Sequence, residues 1–257
     1  MRWRVLTAGF AAALAVTGCG DAGGGGAAGD AAASPGIRGV LRDEKGAALA
    51  DTEVLACQTT ICQFGVTDGR GAFVFPIDAP AKVAIKTRED LAAVPPRGSA
   101  LYPVQLGPAT SVDLHDVHVP TLPHVVPLAE DDGAQTIAAG DGLELTLRRR
   151  DLVSSGHALT GVGARAIGSN RMPDLLGLGA EEVVACYALH PFGVTSTSPI
   201  AVSARTTIPP GVALKLRTIS DIDGTLSEPV PGTSDGRFIT TPPGTGIASL
   251  TWLVITR

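Results

Sequence analysis

The chain has 257 residues, with 20 Lys and Arg against 25 Asp and Glu for a net charge of −5 at pH 7, and only 4% of its residues are aromatic. An acidic balance excludes a surface built to follow the phosphate backbone of nucleic acids, and no stretch beyond residue 18 is apolar for the length a membrane-spanning helix needs. Thirty-two Gly and 19 Pro, with short apolar segments between them, exclude long helices and favour an all-β chain of strands and turns.

At the N-terminus, Arg2 and Arg4 precede an apolar run from Val5 to Val16, too short to span a bilayer and suited to a cleavable export signal. The run ends in Ala15-Val16-Thr17-Gly18-Cys19, which resembles the lipobox of bacterial lipoproteins. The resemblance implies cleavage after residue 18, a diacylglycerol thioether on the Cys19 thiol and fatty acylation such as palmitate. It also implies an exported protein whose membrane partner is reached through that anchor, on the periplasmic face or the cell surface. Residues 19–36 are rich in Gly and Ala with little to bury, and read as a tether. The 17 residues after Cys19 have a root-mean-square reach of roughly 20–25 Å. Without Arg2 and Arg4, 18 basic side chains face 25 acidic ones, a net charge of −7.

Three cysteines remain. Cys57 and Cys62 bracket Gln58-Thr59-Thr60-Ile61 at a strand-to-strand corner, and outside the cytoplasm such a pair oxidises, so a Cys57–Cys62 disulfide is expected. Cys186, within Val183–Leu189, reads as a small buried hydrophobe. Neither a redox C-x-x-C nor a zinc ribbon fits the C-x4-C spacing.

Alternation and turn signals place strands near residues 37–42, 53–58, 62–67, 73–77, 82–87 and 111–119, whose regular spacing predicts a sandwich over 37–119. Val54, Phe73 and Phe75 are expected to face inward. Asp43 to Gly46 and Asp68 to Gly71 each pair a turn-bonding Asp with a Gly free to take positive φ. Gly39-Val40-x-x-Asp43-x-x-Gly46-x-x-Leu49, then Val54, then Thr67-Asp68-x-x-Gly71-x-Phe73 is similar to the carboxypeptidase regulatory-like domain. The resemblance implies a transthyretin-like or carbohydrate-binding-like sandwich that serves as stabiliser, spacer or binding unit.

Near the end of this region, Asp113-x-His115-Asp116-x-His118, with His124 beyond, carries imidazole and carboxylate at short spacing, a weak candidate for a metal. On a regular strand His115 and His118 point to opposite faces, so metal binding requires a bulge or loop there. The expectation is a solvated final strand and no metal.

Residues 120–134 carry Pro120, Pro123 and Pro127 and read as a linker. Beyond it, strands near 136–138, 143–149, 163–167, 183–189, 200–204, 213–220, 237–240 and 250–256 predict a second sandwich over 135–257. Tyr187-Ala188-Leu189-His190-Pro191-Phe192-Gly193-Val194, Ser198-Pro199-Ile200 and Pro210-Gly211-Val212, followed by Ser234-Asp235-Gly236 and Gly244-Thr245-Gly246, resemble repeats of large bacterial surface proteins and the sandwich module of ankyrins and netrin receptors. Arg148-Arg149-Arg150 departs from that module's usual turn. Asp221-Ile222-Asp223-Gly224 lacks the further oxygen ligands of a calcium loop and reads as a hairpin turn.

No phosphate loop or His-Glu-x-x-His occurs, and Ser154-Ser155-Gly156-His157 has candidate residue types without a signature. The expectation is a non-catalytic envelope module without cofactor, with an envelope protein or a glycan as partner. Sugar binding is the alternative; of eight aromatics after the signal, Phe64, Tyr102 and Trp252 are the candidate stacking platforms. A free edge strand, or loops such as 92–108, would instead favour a protein partner.

Overall fold

The structure is a computed structural model and describes residues 35–78, 80–108, 110–154 and 158–257. Every strand-forming segment expected from alternation is a strand, and the fold is an all-β arrangement of packed, mainly antiparallel sheets. The first half contains β1 (Gly36–Arg42), β2 (Glu53–Cys57), β3 (Cys62–Val66), β4 (Ala72–Pro76), β5 (Ala81–Thr87), β6 (Leu101–Leu106) and β7 (Ser111–His118). They form two sheets, β4-β1-β7 and β3-β2-β5-β6, with β1 and β7 parallel and the remaining pairs antiparallel. Two turns have the same construction: Asp43 Oδ1 accepts the Lys45 and Ala47 amides at 2.8 Å, and Asp68 Oδ1 accepts those of Arg70 and Ala72 at 2.8 Å. Gly71, at φ +78°, also lies where a Cβ would come within 2.7 Å of the Leu41 carbonyl oxygen, so close approach reinforces the conformational demand there.

β6 was not expected, because Pro95, Pro96, Pro103 and Pro108 punctuate its surroundings. It forms nevertheless as an edge strand, where Pro103 needs no ladder partner on its open side.

The second half contains β8 (Val126–Pro127), β9 (Gln135–Gly140), β10 (Leu143–Leu147), β11 (Leu152–Val153), β12 (Gly161–Ala166), β13 (Val183–His190), β14 (Val194–Arg205), β15 (Ala213–Ile219), β16 (Val230–Ser234), β17 (Phe238–Thr240), β18 (Ile247–Leu250) and β19 (Trp252–Thr256). The order is β8-β12-β13-β19-β15-β16-β17-β14-β10-β9, with β11 and β18 also on β14. The 12-residue β14 pairs with β11 and β18 in its first half and with β10 and β17 in its second, turning the corner between layers. At the end of β9, a Cβ on Gly140 would meet the Ala164 carbonyl oxygen of β12 at 2.7 Å, which brings the two ends of the strand order together.

The packing follows from the period of two along β13 and β19. Tyr187, Leu189, Leu253 and Ile255 belong to the core enclosed by the second half. Their neighbours Cys186, Ala188, Trp252 and Val254 instead join Ile37, Phe73, Phe75 and Tyr102 in the core of the first half. All five residues of β19 are buried, as expected of a strand covered on both faces. The Trp252 ring meets Tyr102 edge-on at a centroid distance of 6.2 Å and donates its indole N–H to the Ser99 carbonyl at 2.9 Å.

Polar contacts join the halves around this apolar centre. Glu44 accepts both Arg165 Nε at 2.8 Å and Nη2 at 2.9 Å, and also the Thr121 amide and hydroxyl. Lys86 Nζ donates to the carbonyl and carboxylate of Asp221 at 2.6 and 2.8 Å. The segment from Pro120 to Leu128 is itself packed: Thr121 bridges to Arg97, Leu122 and Leu128 are buried, and Val126 and Pro127 pair with β12.

At the far edge of the second half, Glu181 accepts Lys215 Nζ at 2.7 Å, Arg217 Nη2 at 3.1 Å and the Thr256 hydroxyl at 2.7 Å, and is also bonded by Arg217 Nη1. Arg217 first, then Lys215 and Thr256, hold its carboxyl well below the usual carboxylate range. A depressed carboxyl stabilises the fold above its unfolded titration, and that contribution is lost as pH falls through the folded one. Chemical denaturation below about pH 4.5, the ordinary glutamate value, is expected to show falling stability. Glu181→Gln should flatten that part of the acid limb, and an unchanged limb would contradict the assignment.

The shared core makes a second prediction. Trp252→Ala should cost about 3–5 kcal/mol and, in differential scanning calorimetry, lower one common unfolding transition. Two transitions with only one displaced would show that the halves do not share a core.

Candidate functional site: an open strand edge

The β2–β3 hairpin presents the candidate site. Gln58 and Ile61 exchange backbone hydrogen bonds at 2.7 and 3.3 Å, and Thr67 donates to Thr52 at 3.0 Å. Between these closed pairs the register runs Cys57 opposite Cys62, Leu55 opposite Phe64 and Glu53 opposite Val66. Antiparallel ladders alternate closed and open pairs, so Cys62, Phe64 and Val66 occupy open positions and aim their N–H and C=O groups away from β2. β3 is the end strand of its sheet, and those groups lie on its free side.

At two of these positions, Phe64 and Val66, the side chains are exposed and apolar. Phe64 and Val66 are each 64% exposed and Ile61, at the turn, 59%. Gly65 between them points inward, where a Cβ would press on the Phe75 ring at 3.0 Å, so the strand has no freedom to turn Phe64 into the core. Glu53, opposite Val66, pairs with Arg88 at 2.6 Å and marks the polar end of the row.

The sheet ends β4, β6, β7 and β8 carry devices that discourage pairing. β4 ends at Pro76, whose carbonyl accepts Gln63 Nε2 at 3.1 Å. β6 contains Pro103, and β8 is two residues long and contains Pro127. β7 carries Asp113 and Asp116 and is broken by a bulge where the register shifts opposite Gly39 and His115 takes φ +54°. β3, with sequence Cys-Gln-Phe-Gly-Val, has no proline, charge or bulge. That absence of protection was readable in the sequence; that β3 would be a sheet end was not.

Cys57 and Cys62 form a disulfide across the open pair next to the turn. Cys186 is free and buried, and burial pushes its thiol up to about 12, which leaves it without thiolate reactivity at neutral pH.

The bulge that metal binding required at residues 113–118 is present, but the three imidazoles have different surroundings. His115 projects into solvent with Nδ1 3.5 Å from Asp113 Oδ1, His118 lies with Nδ1 3.5 Å from the Asp43 carbonyl, and His124 is exposed. Asp113 and Asp116 are taken by Arg38 at 2.9 Å and Arg42 at 2.5 Å. Among the described residues no group of three or more His, Cys, Asp or Glu is placed to hold an ion. Asp223 accepts the Thr225 amide and hydroxyl at 3.1 and 2.8 Å, closing a turn within 220–225.

Of the three candidate stacking rings, Phe64 alone is exposed. Tyr102 at 6% and Trp252 at 0% are claimed by the core, a correction to their reading as platforms that arises because both lie where the two halves meet. Phe73, Phe75, Tyr187 and Phe192 are also buried and Phe238 is half-buried. Cys19, with residues 1–34, and Ser155, Gly156 and His157 lie outside the described residues.

No family model matches the sequence, and no curated protein matches it. Among solved structures, a "putative carbohydrate binding protein" from Bacteroides uniformis ATCC 8492 aligns over 87% of this chain and 79% of its own at 10% identity, with a TM-score of 0.24.

The disulfide closes a short loop, so its expected contribution is about 2 kcal/mol. Replacing Cys57 and Cys62 together by Ser should lower stability by about that amount and, in hydrogen exchange, increase exchange in β3 more than in β13 or β19. Uniform exchange across all three strands would show that the bridge does not act locally on the edge.

Proposed function

We propose that this chain is a non-catalytic, lipid-anchored envelope module that binds another polypeptide by adding an extended strand to the free edge of β3. The observation supporting it is the coincidence at Phe64 and Val66 of outward-facing backbone groups with exposed apolar side chains. Backbone groups supply hydrogen bonds to any extended partner, while alternate side chains discriminate among partners, which is how strand addition combines affinity with selectivity. The partner expected is a segment of an envelope protein with apolar residues at alternate positions and no proline at the paired ones.

Glycan binding is the alternative. It rests on the carbohydrate-binding-like resemblance of residues 37–119, and among the described residues Phe64 is the one exposed ring available to it. A single ring beside two aliphatic side chains on an open backbone edge fits a peptide better than a sugar.

The anchoring part of the proposal rests on Ala15 to Cys19. No described helix is long and apolar enough to cross a membrane. Cys19→Ser is expected to move the protein out of the detergent-extracted membrane fraction.

The binding part is tested by placing a photo-crosslinking amino acid at Phe64, with the exposed Val153 of the second half as control, in the anchored protein in its own envelope. A polypeptide adduct at 64 and not at 153, lost with Val66→Lys while the melting temperature stays within about 2 °C of the parent, is the expected result. An adduct of twice the chain's mass would replace the envelope partner by a second copy, and no polypeptide adduct would overturn strand addition.

A further inference from the structure

On the second half, away from the β3 edge, a cleft of about 260 Å³ opens beside β10, β14 and the 3-10 turn Arg149–Asp151. The chain builds it tightly. Asp151 donates its amide to the Arg148 carbonyl at 3.1 Å, closing the turn, and its own carbonyl accepts the Thr197 hydroxyl at 3.3 Å, tying the turn to β14. The Asp151 side chain is thereby drawn in to 15% exposure. Its Oδ1 lies 3.8 Å from Arg150 Nε, beyond hydrogen-bond length, and its Oδ2 is buried with no hydrogen-bond partner.

A desolvated carboxylate oxygen with no donor costs on the order of 1–3 kcal/mol or more. Such a cost is removed when a bound molecule provides the missing donor. The rest of the cleft narrows what that molecule is. Thr245 spends its hydroxyl proton on the Pro242 carbonyl at 2.8 Å, and the Thr146 and Thr136 hydroxyls share one hydrogen bond at 2.9 Å. Both therefore keep acceptor capacity toward the cleft. Arg148, which lines the cleft and makes no ion pair among the described residues, offers only donors. Pro199 and Ala201 supply apolar surface.

A carboxylate that only accepts, a guanidinium that only donates and hydroxyl lone pairs within one cleft match a molecule whose groups both donate and accept. Alcohols do so; amines at neutral pH only donate. An ammonium would also meet the repulsion of three consecutive guanidinium groups, Arg148, Arg149 and Arg150, against one carboxylate. At roughly 30 Å³ per water-sized group the cleft holds on the order of ten non-hydrogen atoms, about one six-membered polyol ring.

We infer that this cleft binds a small, neutral, polyhydroxylated ligand, with Asp151 accepting a ligand hydroxyl and Arg148 donating to a neighbouring one. The site is independent of the β3 edge and of the partner proposed there.

The test is ligand-observed saturation-transfer NMR on the full anchored protein in a detergent without sugar headgroups. The probes are methyl α-glucoside, methyl β-galactoside, N-acetylglucosamine and inositol, with lysine methyl ester as the cationic comparison. Transfer to at least one ring polyol is expected, with affinity falling at least ten-fold in Asp151→Ala and by a smaller factor in Thr245→Val. Asp151→Asn keeps the shape of the side chain and should also weaken binding, by removing the charge from the acceptor, while its melting temperature equals or exceeds the parent's. Phe64→Lys should leave polyol binding unchanged. No transfer to any polyol, equal binding by Asp151→Ala, or stronger binding of the lysine ester would each overturn the inference.

Discussion

The structure depends on burying one strand from both sides. β19 reads Trp-Leu-Val-Ile-Thr, and its five residues have no solvent-facing side. Two faces that both require apolar cover are satisfied only if a layer packs on each. The second half closes over Leu253 and Ile255, and the first half covers Trp252 and Val254. Separating the halves would expose the largest fully buried side chain in the described chain and leave its indole N–H without the Ser99 carbonyl. At about 25 cal/mol per Å² of apolar surface, exposing the face around Trp252 is among the costliest local changes available to this fold.

That apolar contact also explains the charged groups around it. Burial alone would push the Glu44 carboxyl up, yet hydrogen bonds from Arg165 and Thr121, together with the Arg165 charge, outweigh burial and hold it below its ordinary value. The Glu44 carbonyl accepts Arg171 Nη2 at 2.6 Å, so one residue of the Asp43 to Gly46 turn takes up two guanidinium groups of the other half. Near the opposite end, Glu89 Oε1 accepts the Phe192 amide at 3.1 Å and lies 2.9 Å from the buried His190 ring. A charged side chain removed from water is tolerated only with such partners, and supplying them restricts the halves to one alignment. Burial provides most of the attraction; the polar contacts set the register.

Much of this was legible in the sequence, and the part that was not has a physical cause. Alternation found the strands, because a half-buried strand must show a period of two. The two Asp to Gly turns were legible because their bonds are local, within four residues. The Cys57–Cys62 pairing was local in the same sense. What alternation could not reveal is which layer lies on each face. Trp252 and Tyr102 read as possible surface rings because their cover comes from residues about 150 positions away in the chain, and β6 was hidden because Pro103 within it argues against a central strand while being compatible with an edge. The candidate edge follows the same rule. Its composition is visible in Cys62 to Val66, but only the topology shows that β3 has one neighbour rather than two.

The same constraint bears on the strand addition proposed for β3. An edge strand captures a partner well when its backbone is already extended and held, since ordering it on binding would consume the gain. β3 is held on one side by β2, at its turn by the disulfide and from beneath by Phe75 against Gly65. Phe75 in turn belongs to the core that reaches across to Trp252. Phe64 and Val66 are therefore exposed because the alternation of a rigid strand leaves them no inward position, not because the hairpin is loosely packed. A rigid apolar edge is an aggregation hazard for a freely diffusing protein. Under the anchoring proposed through Cys19, the same edge would be a directed surface, confined to partners within reach of the membrane.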